Sequence, residues 1–207
     1  MNATAAFEKT KSPALKSRKN GMTAHVSMET YYEKYRHRED GWKYELVDGR
    51  IEKFEKTMKL NQHYIANNLH DLFYSLKMNG KVEGSFTAEV DNELWKDHVR
   101  IPDMCYLNQA QVLDAYNGGH PIAEFVIEVV SPSDKMEKYK EKIRDYFKAG
   151  VKVIWMIYPK VKEVDVYVKG SSQMTICEGE MICSAAPALP EFAISVNDIF
   201  KKPEQPK

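Results

Sequence analysis

One acid inside an apolar run constrains this chain more than any other feature. Phe125-Val126-Ile127 precede Glu128 and Val129-Val130 follow it, a stretch of the kind that fills a strand buried on both faces of a sheet. A carboxylate there must be hydrogen-bonded, paired, protonated or bound to a metal, because an unpaired buried charge is costly. The flanking residues extend the pattern. Ser131-Pro132-Ser133-Asp134 offers capping groups for a helix over about 135–149 that stops at Gly150. Residues 151–157 then read as a second central strand. Strand, helix and strand over 125–157 predict a right-handed crossover with the two strands parallel.

The rest of the chain supplies a mixed α/β order around this unit. Ser27 caps a short helix beginning at Met28, with Glu29 in its first turn. Residues 44–47 and 50–54 flank Asp48-Gly49 as a β-hairpin, with Glu45 and Val47 on one strand face. Apolar residues from Leu60 to Leu76 recur at helical spacing, so the longest helix is expected over about 60–78, stopped by Asn79-Gly80. Strand-like runs follow at 84–90 and 99–107, then a short helix at 110–116 ending in Asn117-Gly118-Gly119. Residues 164–168 and 173–177 read as a C-terminal meander. The expected organisation is one domain over 26–200, a disordered basic tail over 1–25 (Lys9, Lys11, Lys16, Arg18 and Lys19 against Glu8) and a flexible tail over 201–207.

Composition narrows the classes. Thirty basic and thirty acidic residues cancel, so the whole molecule lacks the strong positive field common in nucleic-acid binders, although a lysine-lined cleft can sit opposite an acidic face. Cys105, Cys177 and Cys183 form no CxxC pair, which suggests neither a disulfide framework nor a zinc knuckle and fits a reducing compartment. No apolar run approaches the roughly 20 residues of a membrane span. The expected location is cytoplasmic.

Asp103 is the second informative acid. It follows Pro102 in the otherwise apolar run 99–107, and two acids on neighbouring strands converge on a site for a hard divalent cation, which prefers oxygen ligands. A backbone carbonyl beside Glu128, that of Val129, completes the protein donors. On the residues alone, a structural ion pair at Glu128 stays equally open.

Asp103, the segment Glu128-Val129-Val130-Ser131-Pro132-Ser133-Asp134, a helix bearing Lys142 and Tyr146, Gly150-Val151 and the strand around Trp155 together make an ordered set. With Tyr44-Glu45-Leu46-Val47-Asp48-Gly49, His63 ahead of the long helix and the closing Leu189-Pro190-Glu191-Phe192, it resembles the Uma-type restriction endonucleases of the PD-(D/E)XK superfamily over about 27–200. The resemblance implies an α/β (α+β) restriction-endonuclease-like fold: a mixed β-sheet flanked by helices, with a peripheral hairpin and the C-terminal meander. It implies Mg²⁺ or Mn²⁺ held by Asp103 and Glu128, Glu45 as a third acid nearby, DNA as substrate and, by analogy, a homodimer. One departure matters: the superfamily places lysine two residues after the glutamate, where this chain has Val130.

A substitute lysine is sought on the following helix, whose apolar face is Met136, Tyr139, Ile143, Tyr146 and Phe147, with Lys135 and Lys142 at its edges. Either stem can lie along apolar surface and carry its ammonium to the site. Lys142 is the choice, since the resembling family has lysine there; the alternative is a solvated lysine in a mixed-charge helix. His63 is a candidate for phosphate contact or proton transfer, or else a first-turn histidine satisfied locally. Asp48 is assigned to its turn, His120 to a loop, and Tyr139, Tyr146 and Trp155 to core packing in preference to base stacking. Two rival functions stand beside a DNA endonuclease: a catalytically inactive nuclease-fold protein that binds nucleic acid or protein, and a hydrolase of another phosphoester.

Overall fold

The computed structural model describes residues 24–55, 62–131 and 135–203. At its centre, β7 (Phe125–Val129) and β8 (Val153–Tyr158) run parallel with Glu128 opposite Met156, as the crossover pattern predicts. The connection is α4 (Met136–Ala149), which ends at Gly150 with φ of 116°, a conformation that glycine adopts without a Cβ penalty.

A six-stranded mixed sheet grows from this pair in the order β10-β9-β8-β7-β6-β3. β6 (Met104–Leu107) and β3 (Ser85–Ala88) add antiparallel on one side, β9 (Glu163–Val168) and β10 (Thr175–Glu178) on the other. The last two strands with β8 form the expected meander. Because successive side chains alternate across a sheet, Phe125, Ile127 and Val129 pack with Trp155 and Ile157 into one core, whereas Val126, Ile154 and Met156 face another. The first core is covered by Ile65, Leu69 and Phe73 of α2 (His63–Met78) and by Phe192 of the hairpin β11 (Ile182–Ala185) and β12 (Leu189–Ser195). The second is covered by Tyr139 and Tyr146 of α4. Period-2 alternation therefore sends Glu128 beneath α4.

The hairpin is less peripheral than its sequence suggests. β1 (Trp42–Val47) and β2 (Arg50–Glu55) pair around Asp48 (φ 47°) and Gly49 (φ 74°), the paired positive φ values of a tight hairpin turn. With β5 (His98–Arg100) and β4 (Asn92–Trp95) they form a second sheet, β2-β1-β5-β4, over its own core of Tyr31, Tyr44, Leu46, Val99 and Ile101. The run 99–107, expected as one strand, is thus two strands in different sheets, β5 and β6. Pro102, with no N–H to give a ladder, stands in the break, and Asp103 occupies the corner rather than a strand. β4, β11 and β12 were not legible as strands.

Helical expectations hold in outline. α1 (Met28–Tyr31) is capped by Ser27, which accepts from Thr30 N–H at 3.2 Å, and runs into a π-helical turn, Tyr32–Arg36. α3 (Gln109–Tyr116) carries a reciprocal cap between Asn108 and Gln111. The predicted start of the long helix at Leu60, the capping residues Pro132, Ser133 and Asp134, and the tails over 1–23 and 204–207 lie outside the described residues. Met136, expected on the apolar face, is 47% exposed at the helix entrance. Among the described residues no helix is long and apolar enough to cross a membrane.

Candidate active site

The two sheets meet where β5 passes into β6, and the acids converge there. Asp103 is buried; its Oδ2 accepts the Val129 N–H at 2.7 Å, and its Oδ1 accepts the Lys43 ammonium at 2.7 Å. Glu128, also buried, accepts Lys142 Nζ at 2.9 and 3.0 Å on its two oxygens and the Tyr146 hydroxyl at 2.6 Å. Lys142 and Tyr146 reach one carboxylate because residues four apart lie on one helix face. Glu45, from β1, closes the group: its Oε1 lies 2.8 Å from Lys142 Nζ and accepts the Ile101 N–H at 3.2 Å, while its Oε2 accepts Arg100 at 2.9 Å. One ammonium therefore joins a carboxylate of the large sheet to one of the small sheet.

A polar chain leads outward from this cluster. Arg100, fully buried, also donates to Asp145 Oδ2 at 2.6 and 3.0 Å and to Glu52 at 3.0 Å. His98 lies between Asp145 (3.1 Å) and Asp48 (3.0 Å), and Trp95 Nε1 donates to Asp48 at 2.9 Å. Asp48, assigned to its turn alone, thus also anchors this chain. An open cleft of about 520 Å³ is bounded by Asp48, Glu52, Arg100 and Asp145.

Burial and mutual charge pull the titratable groups apart. Burial raises the pKa of Glu45, but Lys142, Arg100 and Lys43 outweigh it and bring its carboxyl from an ordinary 4.5 down to about 2. For Glu128 burial wins, helped by the Asp103 and Glu45 charges, and its carboxyl is pushed up despite Lys142 and Lys43. Burial alone would lower Lys43; the charges of Asp103, Glu128 and Glu45 hold it above the usual lysine range. Burial, then the Glu128 charge, push the Tyr146 phenol well up, so it remains a donor.

Two expected outcomes follow. A depressed carboxyl stabilises the fold above its unfolded pKa and loses that contribution as pH falls through its folded one. Between 4.5 and about 2, then, wild type should lose stability to which Glu45 contributes, and Glu45→Gln should show a shallower acid slope in urea midpoints. Equal slopes would remove Glu45 as a source. Glu128 acts in the opposite sense, favouring the fold as it protonates. Tyr146→Phe, which deletes a donor to a buried carboxylate, is expected to cost about 1.5–3 kcal/mol in urea unfolding; an unchanged midpoint would show that Lys142 satisfies Glu128 alone.

The structure brings Asp103, Glu128, Lys142 and Glu45 together. Lys142 is buried, contrary to the solvated alternative, and Lys135 is exposed at the N-cap of α4. Val129 contributes its N–H to Asp103. His63 is exposed at the first residue of α2 and, among the described residues, joins none of the cluster's hydrogen bonds. Sequence reasoning missed Lys43, Arg100 and Asp145, and it favoured core packing over base stacking for Tyr146, without a bond to Glu128. Lys43 had a signal: two residues before Glu45, it shares that strand face.

Among the described residues, no group of three or more His, Cys, Asp or Glu side chains is arranged to hold a metal ion. The oxygen-only pair Asp103 and Glu128 nonetheless fits the chemistry of a small hard cation, which binds through one or two carboxylates and keeps several waters.

A mixed sheet crossed by α4, with Asp103, Glu128 and Glu45 gathered where the two sheets meet, defines the restriction-endonuclease-like class of folds. A solved structure, described as a "putative nuclease" from Anabaena variabilis, matches with a TM-score of 0.67 at 18% identity, covering 84% of this chain and 97% of that one. The family model Uma2, described as "Putative restriction endonuclease", matches residues 28–197, and the chain belongs to that family. Comparison with curated protein sequences returns no match.

Proposed function

We propose that this protein is a divalent-cation-dependent endonuclease that hydrolyses phosphodiesters in DNA, with Asp103 and Glu128 as the ligands of Mg²⁺ or Mn²⁺. The observation that carries the reading is the convergence of these two acids with Lys142, whose ammonium sits on Glu128 from the helix and so takes the place left by Val130. When bound, the cation supplies charge neutralisation at phosphate and acidifies water. The chain's own residues do the rest. The Val129 N–H fixes the Asp103 carboxylate, Glu45 and Tyr146 hold Lys142 and Glu128 in register, and Lys142 places a positive charge where negative charge develops.

The test is cleavage of supercoiled plasmid and of single-stranded DNA with Mg²⁺ or Mn²⁺, set against the same reactions with chelator. Metal-dependent cutting supports the reading, and turnover of small phosphodiesters without DNA cleavage would move it to another phosphoesterase. A second reading, a binding module of the same fold without turnover, is favoured by the pairing of Asp103, Glu128 and Glu45 with cationic side chains. Absence of cleavage in this assay, together with no cation binding in a separate metal titration, would select it.

A further inference from the structure

The site holds a second buried lysine to which the nuclease reading gives no role. Lys43 is 7% exposed, and its Nζ donates to Asp103 Oδ1 at 2.7 Å and to the Ile101 carbonyl at 3.0 Å. The oxygen it holds is the one that the Val129 N–H does not take. Lys142 meanwhile is committed to Glu128 and Glu45. Asp103 thus has one oxygen bonded to a backbone N–H and one bonded to a side-chain ammonium. That ammonium and a divalent cation are alternative partners for Oδ1, and two positive charges a few ångströms apart in a poorly hydrated site repel strongly.

We propose that Lys43 is a displaceable counter-ion of Asp103: it neutralises the carboxylate until a divalent cation takes Oδ1, and its charge thereby sets how tightly that cation binds. The inference rests on Asp103 and Glu128 being the cation's ligands. Lys43 acts through Asp103 and is a positioning residue. The Ile101 carbonyl gives the ammonium a second acceptor, so displacement from Asp103 does not leave it without a hydrogen bond.

The experiment is calorimetric titration of the full chain with MnCl₂ for wild type, Lys43→Met and Lys43→Arg. Removing the charge is expected to tighten Mn²⁺ binding by about tenfold or more, because the competing cation is gone. It is also expected to lower the urea midpoint of the metal-free protein, because the buried Asp103 carboxylate loses the ammonium that offsets its charge. Lys43→Arg keeps the charge and is expected to bind no more tightly than wild type. If wild type binds Mn²⁺ and a folded Lys43→Met binds equally or more weakly, the proposal falls while the reading of the site stands. If wild type binds no Mn²⁺, both fall. Should Lys43→Met fail to fold, wild type decides alone: the heteronuclear NMR signal of the Lys43 ammonium is expected to shift on saturation with Mg²⁺, and an unmoved signal at saturation overturns the proposal.

Discussion

Asp103→Asn is expected to lower metal-dependent nicking of supercoiled plasmid by roughly 1000-fold or more, since a cation's charge stabilisation at phosphate amounts to several kcal/mol. The substitution is nearly isosteric. Its amide oxygen can still accept the Val129 N–H that Asp103 accepts at 2.7 Å, so the corner between β5 and β6 is retained. The amide nitrogen then faces Lys43, where a carboxylate oxygen now lies 2.7 Å away. Two donors in contact cost some stability without dissolving the fold. Near-wild-type cleavage by a folded Asp103→Asn protein would remove Asp103 from the ligand set, and a variant that fails to fold is distinguished by its circular dichroism.

The second large effect is on stability. Lys142→Met should cost about 3–5 kcal/mol, the range for breaking a buried ion pair by removing one partner. The reason lies in what Lys142 separates: its ammonium contacts Glu128 at 2.9 and 3.0 Å and Glu45 at 2.8 Å, and all three side chains are buried. Glu45 keeps Arg100 and Glu128 keeps Tyr146, yet neither hydrogen bond cancels the repulsion of two carboxylates that had shared one cation. Relief comes by protonating Glu128, whose carboxyl is already raised, so the variant should regain stability as pH falls. Adding Glu128→Gln to Lys142→Met should recover part of the loss at neutral pH. A Lys142→Met protein with an unchanged urea midpoint would show that the ammonium is not the link between the two sheets.

Much of this arrangement was written locally. Glu128 declared itself because a charge inside a strand buried on both sides demands a partner, and the strand-helix-strand spacing brought α4 back over the sheet. Helical spacing put both Lys135 and Lys142 at the edges of the face that covers Glu128, and only the family resemblance chose Lys142 between them. The hairpin turn at Asp48-Gly49 and the helix caps at Ser27 and Asn108 are equally local, since each depends on a few adjacent residues.

What local pattern could not supply was the way two sheets share one cluster. Residues 99–107 read as a continuous strand because apolar composition carries no mark of which sheet a strand joins; only pairing with β1 on one side of Pro102 and with β7 on the other divides it. Asp103 is consequently a corner residue, and Lys43 and Arg100, which look like ordinary strand charges, become buried partners of acids 55 to 60 positions away. Tyr146 was placed correctly in the core by its helical spacing, but its hydroxyl finds Glu128 only once α4 is packed. The sequence by itself determined most of the elements, the buried acid and the helix face that answers it; the tertiary structure divided 99–107 between two sheets and decided which charges meet. Hydrophobic alternation specifies a face within each element, whereas ion pairs at long sequence separation exist only after the sheets have docked.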